Sequence, residues 1–289
     1  MRLIEAAEEA DVPAPETWLL DDVPDWNREL IIKPRYSIFT DEYVEELSPV
    51  QCEGKLDPIR LPSGIEPDPE AIRARMHEGC RYGAEHTPIV QEVIGENEAE
   101  PEEYSFTALY DHGEAVVTFQ HYQVRAKSYA GGASACRESI RDPELEAVGR
   151  RLLNSLGWHG LVEIEFLRNE ATGEYVLMEV NPRAVSSFAC DIGAGADFPY
   201  HYWLLAGGAS LPIEYDYEVG FGTHRLFGEF QYLMSVLRED YPNIERPTLR
   251  KAIVTFYCPV ITNHTSTISR LTIPGRSFVV FISRYSMRV

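Results

Sequence analysis

Glu165, Glu179, Asn181 and Arg183 are residues whose types and spacing could do chemistry together. They lie in the stretch GLVEIEFLRNEATGEYVLMEVNPR, residues 160–183. Leu161 to Leu167 and Tyr175 to Val180 are β-rich runs. A polar segment ending in Gly173 separates them, which is the composition of a β-hairpin. Alternation along the first run puts Glu163 and Glu165 on one face and Val162, Ile164 and Phe166 on the other. A turn centred near Thr172 sets Glu165 nearly opposite Glu179, where cross-strand Cβ atoms are only about 5 Å apart. Asn181 points the same way, and Arg183 follows at once. Like charges facing each other destabilise a sheet, and a cation between them removes that penalty. Two carboxylates and an amide oxygen suit Mg²⁺ with substrate phosphates completing its shell. A plainer reading makes Glu163 and Glu165 the solvated face of a strand in an acidic protein. The run Glu179-Val180-Asn181-Pro182-Arg183 favours the metal-binding reading.

This stretch resembles the metal-binding hairpin of the ATP-grasp superfamily, in which a strand acid or amide precedes a strand ending in E-x-N-P-R. In particular it is similar to the large-chain half-sites of carbamoyl phosphate synthase and related carboxylate–amine ligases. The resemblance implies an α+β fold of two subdomains with antiparallel sheets that clasp ATP. It implies that Glu165, Glu179 and Asn181 hold Mg²⁺ (or Mn²⁺), and that Arg183 faces the phosphates or an acyl phosphate.

Composition bounds the remaining possibilities. The chain has 289 residues, 44% of them hydrophobic, enough for one large domain or two small ones. No apolar run reaches the roughly 18 residues that cross a bilayer, and the start lacks a cationic, apolar signal segment. A cytoplasmic protein is the expectation. The net charge of −20 argues against nucleic acid and against an anionic membrane surface as partners. Five widely spaced cysteines without a C-x-x-C pair suggest reduced thiols, with neither a zinc site nor a disulfide framework. Neither a P-loop nor a complete G-x-G-x-x-G is present. Asn263-His264-Thr265 matches a glycosylation acceptor by chance.

The elements that must position the site follow in order. Residues 2–10 have helix propensity. Val12-Pro13-Ala14-Pro15-Glu16-Thr17 then leads to a short strand, Trp18 to Leu20. In the family such a segment follows an N-terminal α/β domain, so residues 1–26 read as a linker from a missing domain. The small lid subdomain would span 27–95. Within it, Glu29 to Arg35 is a strand, and Pro34 fixes Lys33 at its end. The resemblance makes Lys33 the lysine that reaches the ATP phosphates, with Arg35 a weaker candidate; otherwise Lys33 guards an exposed edge. Many members of the family carry a glycine-rich phosphate loop after this lysine; here Tyr36-Ser37-Ile38-Phe39-Thr40 follows, with no glycine before Gly54. Asp68 caps a helix over 70–78 that Pro69 begins and Gly79 stops.

Pro88 to Gly95 is a buried strand and turn. By resemblance it is the interdomain hinge, with Glu92, Val93 and Ile94 at the adenine and Glu103 at the ribose; Glu98, Glu100 and Glu102 are rivals. The large subdomain with the metal site would span 96–245. Tyr104–Tyr110 and Glu114–Gln120 form a hairpin that residues 121–125 extend. His121 reads as a packed strand histidine. Arg125 is, by resemblance, a cation for phosphate or substrate carboxylate. Gly131 to Ser134 reads as a flexible loop near the substrate. Asp142 and Pro143 start a helix that Gly157 ends, with an apolar stripe of Leu145, Val148, Leu152, Leu153 and Leu156. After Arg183, Ser186 and Ser187 are candidate substrate contacts, then a helix runs through Trp203 and another over 225–238.

Residues 246–289 contain seven Lys/Arg and no Asp or Glu, against 19 and 46 in the first 245. This atypical basic tail reads as separately evolved or non-native; otherwise it is a strand pair over 252–261 and 276–284. The activity implied is Mg²⁺-ATP-dependent ligation, most simply of the carbon–nitrogen kind. A small substrate carboxylate is activated as an acyl phosphate and attacked by an amine. The other readings are a non-catalytic ATP-binding subunit and a plain acidic interaction domain. The missing segment leaves room for a homodimer, or for a partner chain that supplies it.

Overall fold

The computed structural model describes residues 2–33, 59–79, 87–94, 102–169, 171–185, 187–209, 216–241, 245–253, 267–269 and 281–283. Arg35, residues 36–40, Glu98, Glu100, Ser186, Asn263 and most of the basic tail lie outside these residues. The chain divides into two compact units: residues 1–5 with 14–94, and residues 6–13 with 95–289. Helix α1 (Arg2–Glu9) runs across that division.

The first unit is built on a four-stranded antiparallel sheet. Its strands are β1 (Thr17–Leu19), β2 (Leu30–Lys33), β3 (Ile59–Leu61) and β4 (Ile89–Glu92), in the order β1-β4-β2-β3. Thr17–Leu19, read from the sequence as linker, is therefore an integral strand of this sheet. Helix α2 (Pro69–Gly79) packs its buried Ile72 into a core of Leu20, Leu30, Ile32, Leu61 and Val90. Its start follows the sequence expectation: the Glu70 N–H donates to Asp68 Oδ1 at 3.1 Å.

The second unit is organised by a six-stranded antiparallel sheet. Its strands are β5 (Glu103–Asp111), β6 (Glu114–Ser128), β7 (Gly131–Ile140), β8 (Gly160–Arg168), β9 (Tyr175–Asn181) and β10 (Gly222–His224). Their order is β10-β7-β6-β5-β8-β9. Gly131–Ser134, expected as a flexible loop, instead opens β7, where Gly131 pairs with Ser128 and Ser134 with Ala126. The two glycines take φ 99° and 96°, so they serve the turn into a strand.

Helix α3 (Pro143–Ser155) covers one face. Asp142 Oδ1 accepts from the Glu144 and Leu145 N–H groups at 2.8 and 3.3 Å, and Leu145, Val148, Leu152 and Leu153 are buried. Leu156, expected in the same stripe, is the C-cap residue and is 40% exposed, because the helix has ended before it. A Cβ on Gly149 would sit 2.5 Å from Phe106 Cδ1, so glycine lets the helix lie close on β5. The other face is covered by α4 (Phe188–Ala194) and α5 (Phe198–Ala206), whose Cys190, Ala194 and Phe198 pack on Leu109, Val117 and Phe119. The single helix expected through Trp203 is thus two. Gly195 breaks it at φ 106°, and Asp197 with Pro199 starts the next.

Helix α6 (Leu226–Arg238) packs on β6 and β7. Residues 249–253 form a further helical turn, and Ala252 is buried against Tyr129 and Val236. Residues 252–253 are therefore helical where a strand was expected, because Thr248 caps them: the Lys251 N–H donates to its Oγ1 at 3.2 Å. Strands β11 (Thr267–Ser269) and β12 (Phe281–Ser283) pair antiparallel.

Candidate active site

Strands β8 and β9 pair so that Glu165 lies opposite Glu179 and Glu163 opposite Asn181. From the turn, Arg168, Leu167 and Phe166 pair with Tyr175, Val176 and Leu177. Continued without interruption, that register would set Glu165 against Met178 and turn Glu179 to the opposite face. A bulge between Glu165 and Phe166 leaves Met178 as the extra residue, and this brings the two carboxylates together. The turn itself is fixed by Asn169, whose Oδ1 accepts from the Ala171 N–H at 2.9 Å, and by Gly173 at φ 77°.

Three side chains are then chained by hydrogen bonds. Arg183 Nη2 donates to Asn181 Oδ1 at 2.9 Å, and Asn181 Nδ2 donates to Glu165 Oε1 at 3.2 Å. Glu179 is exposed and Glu165 is partly buried. Burial raises the Glu165 carboxyl to about 8, with Glu103, Glu163 and Glu179 adding to the rise. This arrangement resists negative charge, and a bound cation would relieve it. All donors are oxygens, the set that suits a hard dication such as Mg²⁺.

Beside Glu165 lies a buried layer in which Glu163, Ser187 and His121 were singled out by the sequence, whereas Asp191 and Arg137 were not. Glu163 is 3% exposed and accepts a hydrogen bond from Ser187 Oγ at 3.0 Å. Burial raises its carboxyl too, opposed by Arg137 and the Ser187 hydroxyl. Asp191, the fourth residue of α4, is fully buried, and neither carboxylate oxygen has a hydrogen-bond partner among the described residues. Its carboxyl is raised to about 8 by burial, with Glu163 next. His121 lies in the same layer as a packed strand histidine, 3.9 Å from Glu163, and burial holds it neutral. Alternation marked Glu163 as facing this side and could have marked Arg137 as well. Nothing local marks Asp191.

The remaining candidates are distributed over the molecule. Glu103 lies on the Glu165 face of β5 and accepts from Gln123 Nε2 at 3.3 Å. Arg125 does not face the carboxylates. It is buried beside Glu229 of α6, with Nε 3.0 Å from Oε2 and its guanidinium 5.4 Å from the Tyr232 ring centre. His224 and Cys136 complete that cluster. Lys33, Glu92, Val93 and Ile94 belong to the first unit. Lys33 ends β2 opposite Ile89. The Glu92 N–H donates to the Glu16 carbonyl at 3.1 Å, and its carboxylate accepts from the Glu16 N–H at 2.9 Å. The Val93 N–H donates to the Glu29 carbonyl at 3.4 Å.

No protein-family model matches the chain. No curated protein matches its sequence either. Solved structures do match. One is the biotin carboxylase domain of Hydrogenobacter thermophilus 2-oxoglutarate carboxylase, in complex with MgADP, ADP and bicarbonate. It is 15% identical with a TM-score of 0.53, over 76% of this chain and 48% of that one. A second is an ADP complex of N5-carboxyaminoimidazole ribonucleotide synthetase, at 15% identity and TM-score 0.54, covering 90% and 70%. A third is the L-amino acid ligase of Bacillus licheniformis, at 13% and 0.50, covering 77% and 52%. The chain spans about half the length of the biotin carboxylases it matches, 48%. The chain has the ATP-grasp fold. Among the described residues no helix is long and apolar enough to cross a membrane.

Proposed function

We propose that this chain is an ATP-dependent ligase that activates a small substrate carboxylate as an acyl phosphate for attack by an amine. The observation that carries the reading is the facing of Glu165 and Glu179, continued through Asn181 to Arg183, on an ATP-grasp fold. Glu165, Glu179 and Asn181 are the proposed ligands of Mg²⁺ or Mn²⁺. When bound, such an ion neutralises phosphate charge and orients the transferring group. Arg183 is held beside the same carboxylates by Asn181, where a guanidinium stabilises charge that develops on the transferring phosphoryl group. Lys33, at the end of β2, is a further proposed phosphate-binding cation.

Glu92, Val93 and Ile94 are the proposed adenine contacts and Glu103 the ribose contact. Arg125, with its charge matched by Glu229, is assigned the anchoring of α6 to the sheet. The burial of Glu163 and Asp191 excludes water from below the carboxylates. Catalysis of this kind is mainly positioning and charge neutralisation. Calorimetric titration of ATP with and without Mg²⁺ tests the reading. Mg²⁺-dependent binding that weakens in a Glu165→Gln/Glu179→Gln variant supports it. Mg²⁺-dependent binding and turnover unchanged in that variant would overturn the assignment.

A further inference from the structure

Two x-His-Gly turns lie side by side at one end of the large sheet. Asp111-His112-Gly113 closes the β5–β6 hairpin, and Trp158-His159-Gly160 leads from α3 into β8. They meet because β5 and β8 are neighbours, with Tyr110 opposite Gly160. Consecutive positive φ values, 46° at His112 and 91° at Gly113, are those of a type I′ turn. The Gly113 N–H donates to the Trp158 carbonyl at 2.7 Å, and the His112 N–H to His159 Nδ1 at 3.4 Å. The backbone thus holds both histidines against one carboxylate. Asp111 Oδ1 is 2.7 Å from His112 Nδ1 and 3.3 Å from His159 Nδ1, and the two rings stand 4.1 Å apart.

These three side chains also have the makings of a metal site. Asp111 Oδ1 lies within reach of both imidazoles, and in neutral rings the Nδ1 lone pairs could turn to one cation in place of these contacts. The His112 N–H, now 3.4 Å from His159 Nδ1, would then pass to water. One donor atom from each of the three residues lies within 4.8 Å of the others. Metal–ligand bonds of about 2.0–2.2 Å in a tetrahedron put neighbouring donors roughly 3.3–3.5 Å apart. The His159–Asp111 pair already has that spacing, and the His112–Asp111 pair must open by about 0.6 Å to reach it. All three side chains are exposed, so a fourth position opens to water.

We propose that Asp111, His112 and His159 form a surface site for a transition-metal dication of the zinc class. Two imidazoles and one carboxylate suit Zn²⁺, Co²⁺ or Ni²⁺, whereas the all-oxygen set at Glu165 and Glu179 suits Mg²⁺. The ion would tie the β5–β6 turn to the loop entering β8, the strand that carries Glu163 and Glu165.

The test uses untagged, full-length protein, titrated calorimetrically with ZnCl₂ in buffer free of Mg²⁺ and nucleotide. Three proteins are compared: wild type, a His112→Asn/His159→Gln variant, and a Glu165→Gln/Glu179→Gln variant. Asn is chosen at 112 because it tolerates positive φ. The expected result is one Zn²⁺ site in wild type and in the glutamine-substituted carboxylate variant, lost in the histidine variant. A raised Tm on adding Zn²⁺ should follow the same pattern. Asp111→Asn, which keeps the turn, should weaken binding as well. Zn²⁺ binding that survives in the histidine variant, or wild type that binds none at millimolar ZnCl₂, overturns the proposal.

Discussion

Glu165 and Glu179 face each other across β8 and β9 only because Met178 is bulged out of the ladder. The turn at Asn169–Glu174 sets a register that, unbroken, would have put Glu179 on the opposite face. The bulge reverses the alternation at the position where a second carboxylate is needed. The pair is costly without a cation, since burial and the neighbouring acids raise Glu165 to about 8.

Glu165→Gln should therefore separate stability from function. Above about pH 8, where Glu165 would carry its charge, removing one of two facing carboxylates relieves a repulsion worth about 0.2–1 kcal/mol. Metal-free protein should become slightly more stable in urea at that pH and change little below it. The same change removes a proposed metal ligand. Metal assistance is worth several kcal/mol, so turnover should fall on the order of a hundredfold or more. A variant both less stable and fully active would contradict both halves of the argument.

Asp191 predicts a pH dependence of opposite slope to an ordinary salt-bridged acid. Its folded value of about 8 exceeds the ordinary 3.8 of an aspartate. Between those values the folded protein binds more protons than the unfolded one, so stability falls as pH rises through the window. Asp191→Asn cannot ionise. It should flatten the slope of unfolding free energy between about pH 5 and 8 and raise stability at the upper end. Urea denaturation at several pH values, without divalent ions, reads it directly. An unchanged slope would mean that another group carries the dependence.

The hairpin was legible because its message is local: two β-rich runs, a turn, and acids whose spacing matches the strand period. The caps of α2 and α3 were legible for the same reason, since Asp68 and Asp142 act on their next few residues. What failed was non-local. Gly131-Gly132 reads as a loop until β6 is there to pair with β7. Asp191 carries no local signal, since only its burial on the sheet sets it apart. Arg125 reads as a ligand cation because its partner, Glu229, lies far along the chain and no periodicity joins them.

That ion pair makes the third prediction. Arg125 is 6% exposed and Glu229 0%. Breaking a buried pair by removing one partner leaves an uncompensated charge and typically costs about 3–5 kcal/mol. Glu229→Gln should therefore destabilise the protein strongly. Replacing both partners by apolar residues, Arg125→Met with Glu229→Leu, removes the charge altogether and should recover most of the loss. Chemical denaturation of Arg125→Met, Glu229→Leu and the double variant forms a cycle. If the double variant falls by the sum of the singles, the two residues do not act as a pair.

The basic tail supplies the last prediction. Composition alone suggests a segment foreign to the acidic chain, and a protein ending at Glu245 would then lose nothing. The structure argues otherwise for the first part of it. Ala252 is 0% exposed, packed on Tyr129 and Val236, and Arg246 donates to the Glu239 carbonyl that also receives the Tyr129 hydroxyl. These contacts fix the end of α6 against the β6–β7 turn. Removing them uncovers Tyr129 and Val236 to water, a loss of about 1–2 kcal/mol at roughly 25 cal/mol per Å² of apolar surface. For a domain of this size that is a fall in Tm of several degrees, at about 2–4 °C per kcal/mol. Differential scanning calorimetry of chains ending at Glu245 and at Ile253 separates the two ideas. The longer chain should melt higher than the shorter. Equal melting would show that residues 246–253 contribute nothing to the fold.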